Sequence, residues 1–162
     1  MKSWTQQLQR AHQVTHPDDG WNLVLGDGAS EDEISALEGS LGITFPGEFR
    51  ELYLTHNGVG MSREGSEEIV WQAIPLALIP ATIKHARDWF RETHPEVSAR
   101  FFPFLDWYSG DYDGYLLGEG SFVLPGIYSF EHESYEFDAD QDSEEFLLPA
   151  YSSLREHDLL SA

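Results

Sequence analysis

The chain has 162 residues, 41% of them hydrophobic and 14% aromatic, and its 29 Asp+Glu against 9 Lys+Arg leave a formal charge of −20. That is apolar material enough for one packed core of ordinary domain size, so a single domain over residues 1–162 is expected, with residues 1–20 as an N-terminal helical extension. The charge argues against nucleic acid and anionic membrane surfaces, both of which attract Lys and Arg, and the absence of cysteine removes disulfides, thiolate nucleophiles and thiolate metal sites.

The opening MKSWTQQLQRAHQ is polar and holds no apolar segment of signal-peptide length. The apolar stretch AIPLALIPA falls short of the roughly 20 residues that a membrane-spanning helix requires. A soluble, cytoplasmic protein is the expectation. Leu8, Ala11 and Val14 share one face of a short amphipathic helix, and the turn segment HPDDG leads into a loop carrying Trp21, Leu23, Val24 and Leu25. Ser30 and Glu33 then form an S-x-x-E capping box, in which each side chain satisfies a free backbone donor of the first helical turn. Ile34, Leu37 and Leu41 follow at helical spacing, and Gly42 is the stop. A second helix opens at Pro46, where a missing N–H costs nothing, carries Phe49, Leu52, Tyr53 and His56, and closes at Asn57-Gly58.

A polar Gly/Ser/Glu loop precedes a strand-like run at Ile69, Val70 and Trp71. Pro80 opens a third helix bearing Ile83, Ala86 and Phe90, and His94-Pro95 ends it, because a residue before proline avoids the helical region. From Phe101 the pattern changes to FFPFL, YLL, IYSF and YEF, short runs read as antiparallel strands, with turns at Asp113-Gly114 and around Leu124-Pro125-Gly126. Ser143 caps a terminal helical segment with Phe146, Leu147, Tyr151 and Leu154, interrupted at Pro149. Helices first, strands next and a helix last predict an α+β fold: one mainly antiparallel, curved sheet packed with N-terminal helices and a C-terminal helix. Leu37, Leu41, Phe49, Leu52, Phe90 and Phe146 are assigned to its core.

No motif carries recognisable catalysis. Dinucleotide, phosphate-loop and nucleophile-elbow patterns are missing from the sequence. GDGAS at residues 26–30 lacks the third glycine of a dinucleotide fingerprint and reads as a loop feeding a capped helix. HESYE at residues 132–136 misses the second histidine of a zinc-protease helix, and the Asp111 to Gly114 stretch lacks the closing glutamate of a calcium loop. His12 and His16 lie four apart without a suggested third ligand, and a carboxylate pair means little among 29 acids. No catalytic residue, metal or cofactor is expected.

The acids are unevenly spread. Between Phe101 and Leu154 there are twelve acidic residues and no Lys or Arg. In EHESYEFDADQDSEE, strand alternation would send Glu131, Glu133 and Tyr135 to one face and Phe130 and His132 to the other. A merely solvated face normally mixes charge signs, so this one reads as a docking surface for a cationic partner. Binding hot spots favour aromatic side chains, and Tyr108, Tyr112, Tyr115 and Tyr135 interleave with Asp106, Asp111, Asp113, Glu131, Glu133, Glu136 and Asp138. Taken singly, each tyrosine also reads as a half-buried strand residue.

The segment EISALEGSLGITFPGEFRELYLTHNGVG resembles the SUKH superfamily, which includes yeast cell-wall-assembly-regulator proteins and many bacterial immunity proteins. Ile34, Leu37, Glu38, Leu41, Gly42, Pro46, Leu52, Asn57 and Gly58 match its helix–proline–helix–NG pattern in order. Trp21 upstream, FFPFLDWYSGDYDGYLL, GIYSFEHESYEF and DSEEFLLPAYSSL follow the family more loosely, so the likeness covers most of the chain from about Trp21. Phe45 stands where leucine is common, and the helix around Ile83 to Phe90 looks inserted. The resemblance implies binding rather than catalysis: a cytoplasmic immunity protein that neutralises a cognate toxin, a basic nuclease or other nucleic-acid-modifying enzyme. Its alternative is a regulatory scaffold of the cell-wall-assembly-regulator type.

Overall fold

A computed structural model describes residues 3–120 and 122–160. Helix α1, Trp4–Thr15, starts at a capping box between Ser3 and Gln6 and buries Trp4, Leu8 and Ala11. Val14, expected on the same face, is exposed. Helix α2, Glu31–Leu41, has the anticipated Ser30–Glu33 capping box and ends at Gly42, whose left-handed φ of 67° stops it. Helix α3, Gly47–Thr55, follows Pro46 and buries Phe49, Leu52 and Tyr53. Glu38 fastens α2 to α3: its carboxylate accepts the Phe45 N–H at 2.7 Å and pairs with the Arg50 guanidinium. Asn57 works as a similar fastener, its Oδ1 accepting the Leu76 N–H at 2.8 Å. Leu37 and Leu41 are half-buried rather than fully inside.

Seven strands form one sheet in chain order, each antiparallel to the next. They are β1 Trp21–Leu25, β2 Val59–Arg63, β3 Ile69–Ala73, β4 Phe101–Asp106, β5 Tyr112–Leu116, β6 Ile127–Phe130 and β7 Leu147–Tyr151. The α+β class and the antiparallel sheet are as the sequence leads one to expect. Helices α4, Ile79–Phe90, and α5, Pro95–Arg100, lie between β3 and β4. Pro95 both follows the end of α4 and occupies the first turn of α5, a position that suits it.

Several local expectations are corrected. The Trp21 loop is strand β1, and the start of the polar loop is strand β2, whose Gly60 and Ser62 are buried against a closely paired β3. Asp113-Gly114 is no turn; both residues lie inside β5. A Cβ on Gly114 would stand 2.1 Å from the Phe102 carbonyl oxygen, so this glycine serves close strand approach. The β4–β5 reversal instead uses Tyr108 and Gly110, at φ of 55° and 100°. Residues 131–146 are not a strand pair: they contain 3-10 turns at His132–Ser134 and Ser143–Glu145, the second capped by Asp142 rather than Ser143. The expected C-terminal helix is strand β7 followed by a 3-10 turn at Leu154–Glu156. Pro149 is unfavourable inside a helix but acceptable on an edge strand.

Side-chain alternation sends neighbouring strand residues to opposite faces, and here both faces are covered. Phe102, Phe104, Tyr115 and Ile127 join one cluster with Trp4 and Leu8 of α1, Phe49 and Leu52 of α3, and Leu154 and Leu160 of the C-terminal segment. Phe101, Tyr112, Leu116 and Phe130 join a second cluster with Ala86 and Phe90 of α4, Tyr135, Phe146 and Leu147. The Phe49 ring lies edge-on to Phe102, Phe104 and Tyr115 and stacks on Tyr53 at 4.3 Å.

Candidate functional site

Two connections meet at one end of the sheet: the β4–β5 loop and the β6–β7 connection. Asp111 joins them, its Oδ1 accepting the His132 backbone N–H at 2.9 Å and lying 2.6 Å from His132 Nδ1. A Cβ at Gly110 would approach that Nδ1 to 2.9 Å, so the junction depends on a residue without one. In the first loop, Asp106 Oδ1 accepts the Tyr108 N–H at 2.7 Å, and the Tyr108 hydroxyl donates to Gln72 Oε1 at 3.0 Å. Partial burial pushes the Asp106 carboxyl above its ordinary range, against the opposing pull of that N–H and His85. Partial desolvation and the Asp106 charge raise the Tyr108 hydroxyl in turn.

The second connection is held by Gln141. Its buried side-chain amide donates to the Ser134 carbonyl at 2.8 Å and accepts the Glu136 N–H at 3.0 Å. The Gln141 backbone carbonyl lies 2.7 Å from His94 Nε2. This frame presents Phe137 at φ of 57°, 67% exposed, with its ring 4.4 Å from buried Tyr135. Trp89 of α4 lies beside it, 6.5 Å from Phe137 and 5.6 Å from His132 between ring centroids. Among the described residues only Asp18, Tyr108 and Phe137 are non-glycine residues with a left-handed backbone, and two of the three are exposed aromatics at this site. Such strain persists only where surrounding contacts enforce it.

Of the residues expected to meet a partner, Tyr108, Glu133, Glu136 and Asp138 are exposed, and Asp106, Asp111 and Glu131 are half-buried. The other four are corrected, because both faces of the sheet are covered and their side chains are taken inside. Tyr112 and Tyr135 belong to the cluster under α4. The Tyr115 hydroxyl donates to Glu48 Oε1 at 3.2 Å, an oxygen that also accepts the Leu154 N–H at 2.9 Å. Asp113 is 0% exposed. Sequence reasoning missed Trp89, His132, Phe137 and Gln141. Phe137 had a visible signal, an aromatic residue between Glu136 and Asp138 in an acidic run; Gln141 had none.

Asp113 stands between two other groups: it accepts from Ser129 Oγ and lies 2.7 Å from His157 Nε2. The Leu159 N–H donates to His157 Nδ1 at 3.2 Å, which places the ring proton on Nε2, facing Asp113. A hydrolase triad sets histidine between nucleophile and carboxylate; here the carboxylate is central, His157 is 0% exposed, and the arrangement fastens the C-terminal segment to β5. Among the described residues, no group of three His, Asp or Glu is arranged to hold a metal ion. No helix among them is long and apolar enough to cross a membrane.

The cations that form ion pairs serve other carboxylates: Arg50 binds Glu31 and Glu38, Lys84 and Arg91 bind Asp88, and Arg155 binds Glu51. Among the described residues, none of these lysine and arginine pairs reaches Asp106, Asp111, Glu131, Glu133, Glu136 or Asp138. Exposed aromatic rings in an acidic segment of this kind are chemically suited to receive cations. Residues 28–148, which include both converging connections, match the profile of the SMI1 / KNR4 family (SUKH-1). No curated protein matches the chain.

Proposed function

Since the chain belongs to the SMI1 / KNR4 family (SUKH-1), we propose that it is a cytoplasmic immunity protein that neutralises a cognate, basic toxin by occupying its cationic surface. The observation that carries this reading is the acidic end of the sheet, where Tyr108 and Phe137 stand exposed among Asp106, Asp111, Glu131, Glu133, Glu136 and Asp138. A nuclease or other nucleic-acid-modifying enzyme is basic where it meets phosphate, and an acidic surface competes for that ground. Complementary charge speeds encounter and sets register, while desolvated aromatic anchors resist dissociation.

Capture from the native lysate at low salt, followed by stepwise salt elution and mass spectrometry, tests the assignment. One basic protein leaving stoichiometrically at elevated salt is expected. Expressed alone that protein arrests growth, and co-expression of the present chain restores it. A spread of housekeeping proteins, or a captured protein whose toxicity is unaffected by co-expression, contradicts the reading.

A further inference from the structure

We propose that Phe137 and Trp89, with the carboxylates of Glu133 and Glu136, form a seat for an arginine side chain of the partner; in taking that partner to be a basic protein, the proposal rests on the function given above. The chain's own packing shows the chemistry. Arg155 lies over the Trp4 ring at 3.8 Å and Arg63 over the Trp21 ring at 5.5 Å. Among the described residues, Trp89 and Phe137 have no cation of this kind. The cations of α4 and of the residue that follows it are engaged: Lys84 and Arg91 with Asp88, and Arg87 through its Nε–H to the Phe101 carbonyl at 2.9 Å.

The rings are also held ready. Phe137 is kept outward in its left-handed conformation by the Gln141 frame, and Trp89 is braced by Phe130 at 5.8 Å and His132 at 5.6 Å. A lysine ammonium, compact and strongly hydrated, gains less from a ring face than from the acids. A guanidinium can lie flat on an aromatic ring while its edge donates to a carboxylate, so this mixture of groups favours arginine over lysine. Glu136 adjoins Phe137 in the chain, and Glu133 lies in the same short turn as the His132 that touches Trp89. Both carboxylates are exposed.

The test uses the whole chain and two labelled peptides, a Gly/Ser sequence carrying several arginines and the same sequence with lysine at each of those positions. Binding is measured by fluorescence anisotropy, and the Trp89 indole N–H is followed by NMR, assigned as the signal missing from Trp89→Phe. The arginine peptide should bind roughly three- to fivefold more tightly than the lysine peptide and shift the Trp89 signal. Phe137→Ser, at an exposed position, should remove that preference in a chain that still folds, as read from its circular dichroism and cooperative melting. Glu133→Gln with Glu136→Gln should weaken both peptides.

Equal affinity for the two peptides, absence of binding, an unmoved Trp89 signal, or a preference that survives Phe137→Ser overturns the seat. These outcomes separate from failure of the immunity reading. Toxin capture with no arginine preference removes the seat alone, whereas an arginine preference without protection in cells removes the immunity role alone.

Discussion

A methyl group added at Gly114 and one added at Gly42 meet very different surroundings. At Gly114 it would lie 2.1 Å from the Phe102 carbonyl oxygen and 2.6 Å from the Pro103 Cα, both backbone atoms of a paired strand that cannot swing aside. At Gly42 it would meet open space, and the cost is that of a left-handed backbone alone. Gly114→Ala should therefore lose about 3 kcal/mol or more of stability, against about 1 kcal/mol for Gly42→Ala. Urea unfolding of the two variants checks this, and comparable losses would contradict the packing at β4–β5. Removing Asp113 attacks the same strand differently, because Ser129 and His157 then lose a buried acceptor. Asp113→Ala should cost about 2–4 kcal/mol, read from the same unfolding curves.

At the level of elements, the β6–β7 connection is the least expected part of the molecule and the part that shapes the site. It has little regular structure, yet Gln141 ties Ser134 to Glu136 and, through its own carbonyl, reaches His94 at the start of α5. Gln141→Ala leaves those partners without the amide and should cost about 1–3 kcal/mol. Amide exchange between residues 134 and 141 should quicken at the same time, whereas unchanged exchange would show that the acidic segment is held by other means. Helices α2, α3 and α4 were legible because caps, a proline start and apolar spacing agreed with one another. Strands β3, β4 and β6 were legible from their bulky residues. Strand β2 was not, because VGMSR buries small and polar residues in a tight pairing that propensity does not register. Strand β7 was hidden by the spacing of Phe146, Leu147, Tyr151 and Leu154, which reads as a helix interrupted at Pro149, although that proline fits an edge strand. The acidic character of the site was legible from charge alone. Which tyrosines were available was not, since alternation assumes one solvated face and this sheet has layers on both.

Over the whole molecule, tyrosine hydroxyls held in the fold govern the response to alkaline pH. Burial raises the hydroxyls of Tyr53 and Tyr115, the latter also through Glu48, and burial with Asp158 and Asp113 pushes Tyr151 up to about 12. Each binds its proton more tightly folded than unfolded. Their contribution to stability is thus fully present below pH about 10, the ordinary tyrosine value, and is lost as pH rises through the folded values. Unfolding should steepen above pH 10, with part of the tyrosine absorbance change appearing only as the fold is lost. Smooth titration of all seven tyrosines in a still-folded chain would contradict the burial of Tyr53 and Tyr115.

Stability aside, a net charge of −20 makes encounter with a basic partner a long-range event. The most direct test of the central claim is the association rate of the captured basic partner, measured by stopped flow at low and high salt, for the native chain and for Glu133→Lys with Glu136→Lys. The rate for the native chain should fall by about tenfold or more as salt rises, and the charge-reversed variant should associate slowly at low salt. Equal rates at both salt concentrations, or a variant as fast as the native chain, would contradict docking through the acidic end of the sheet.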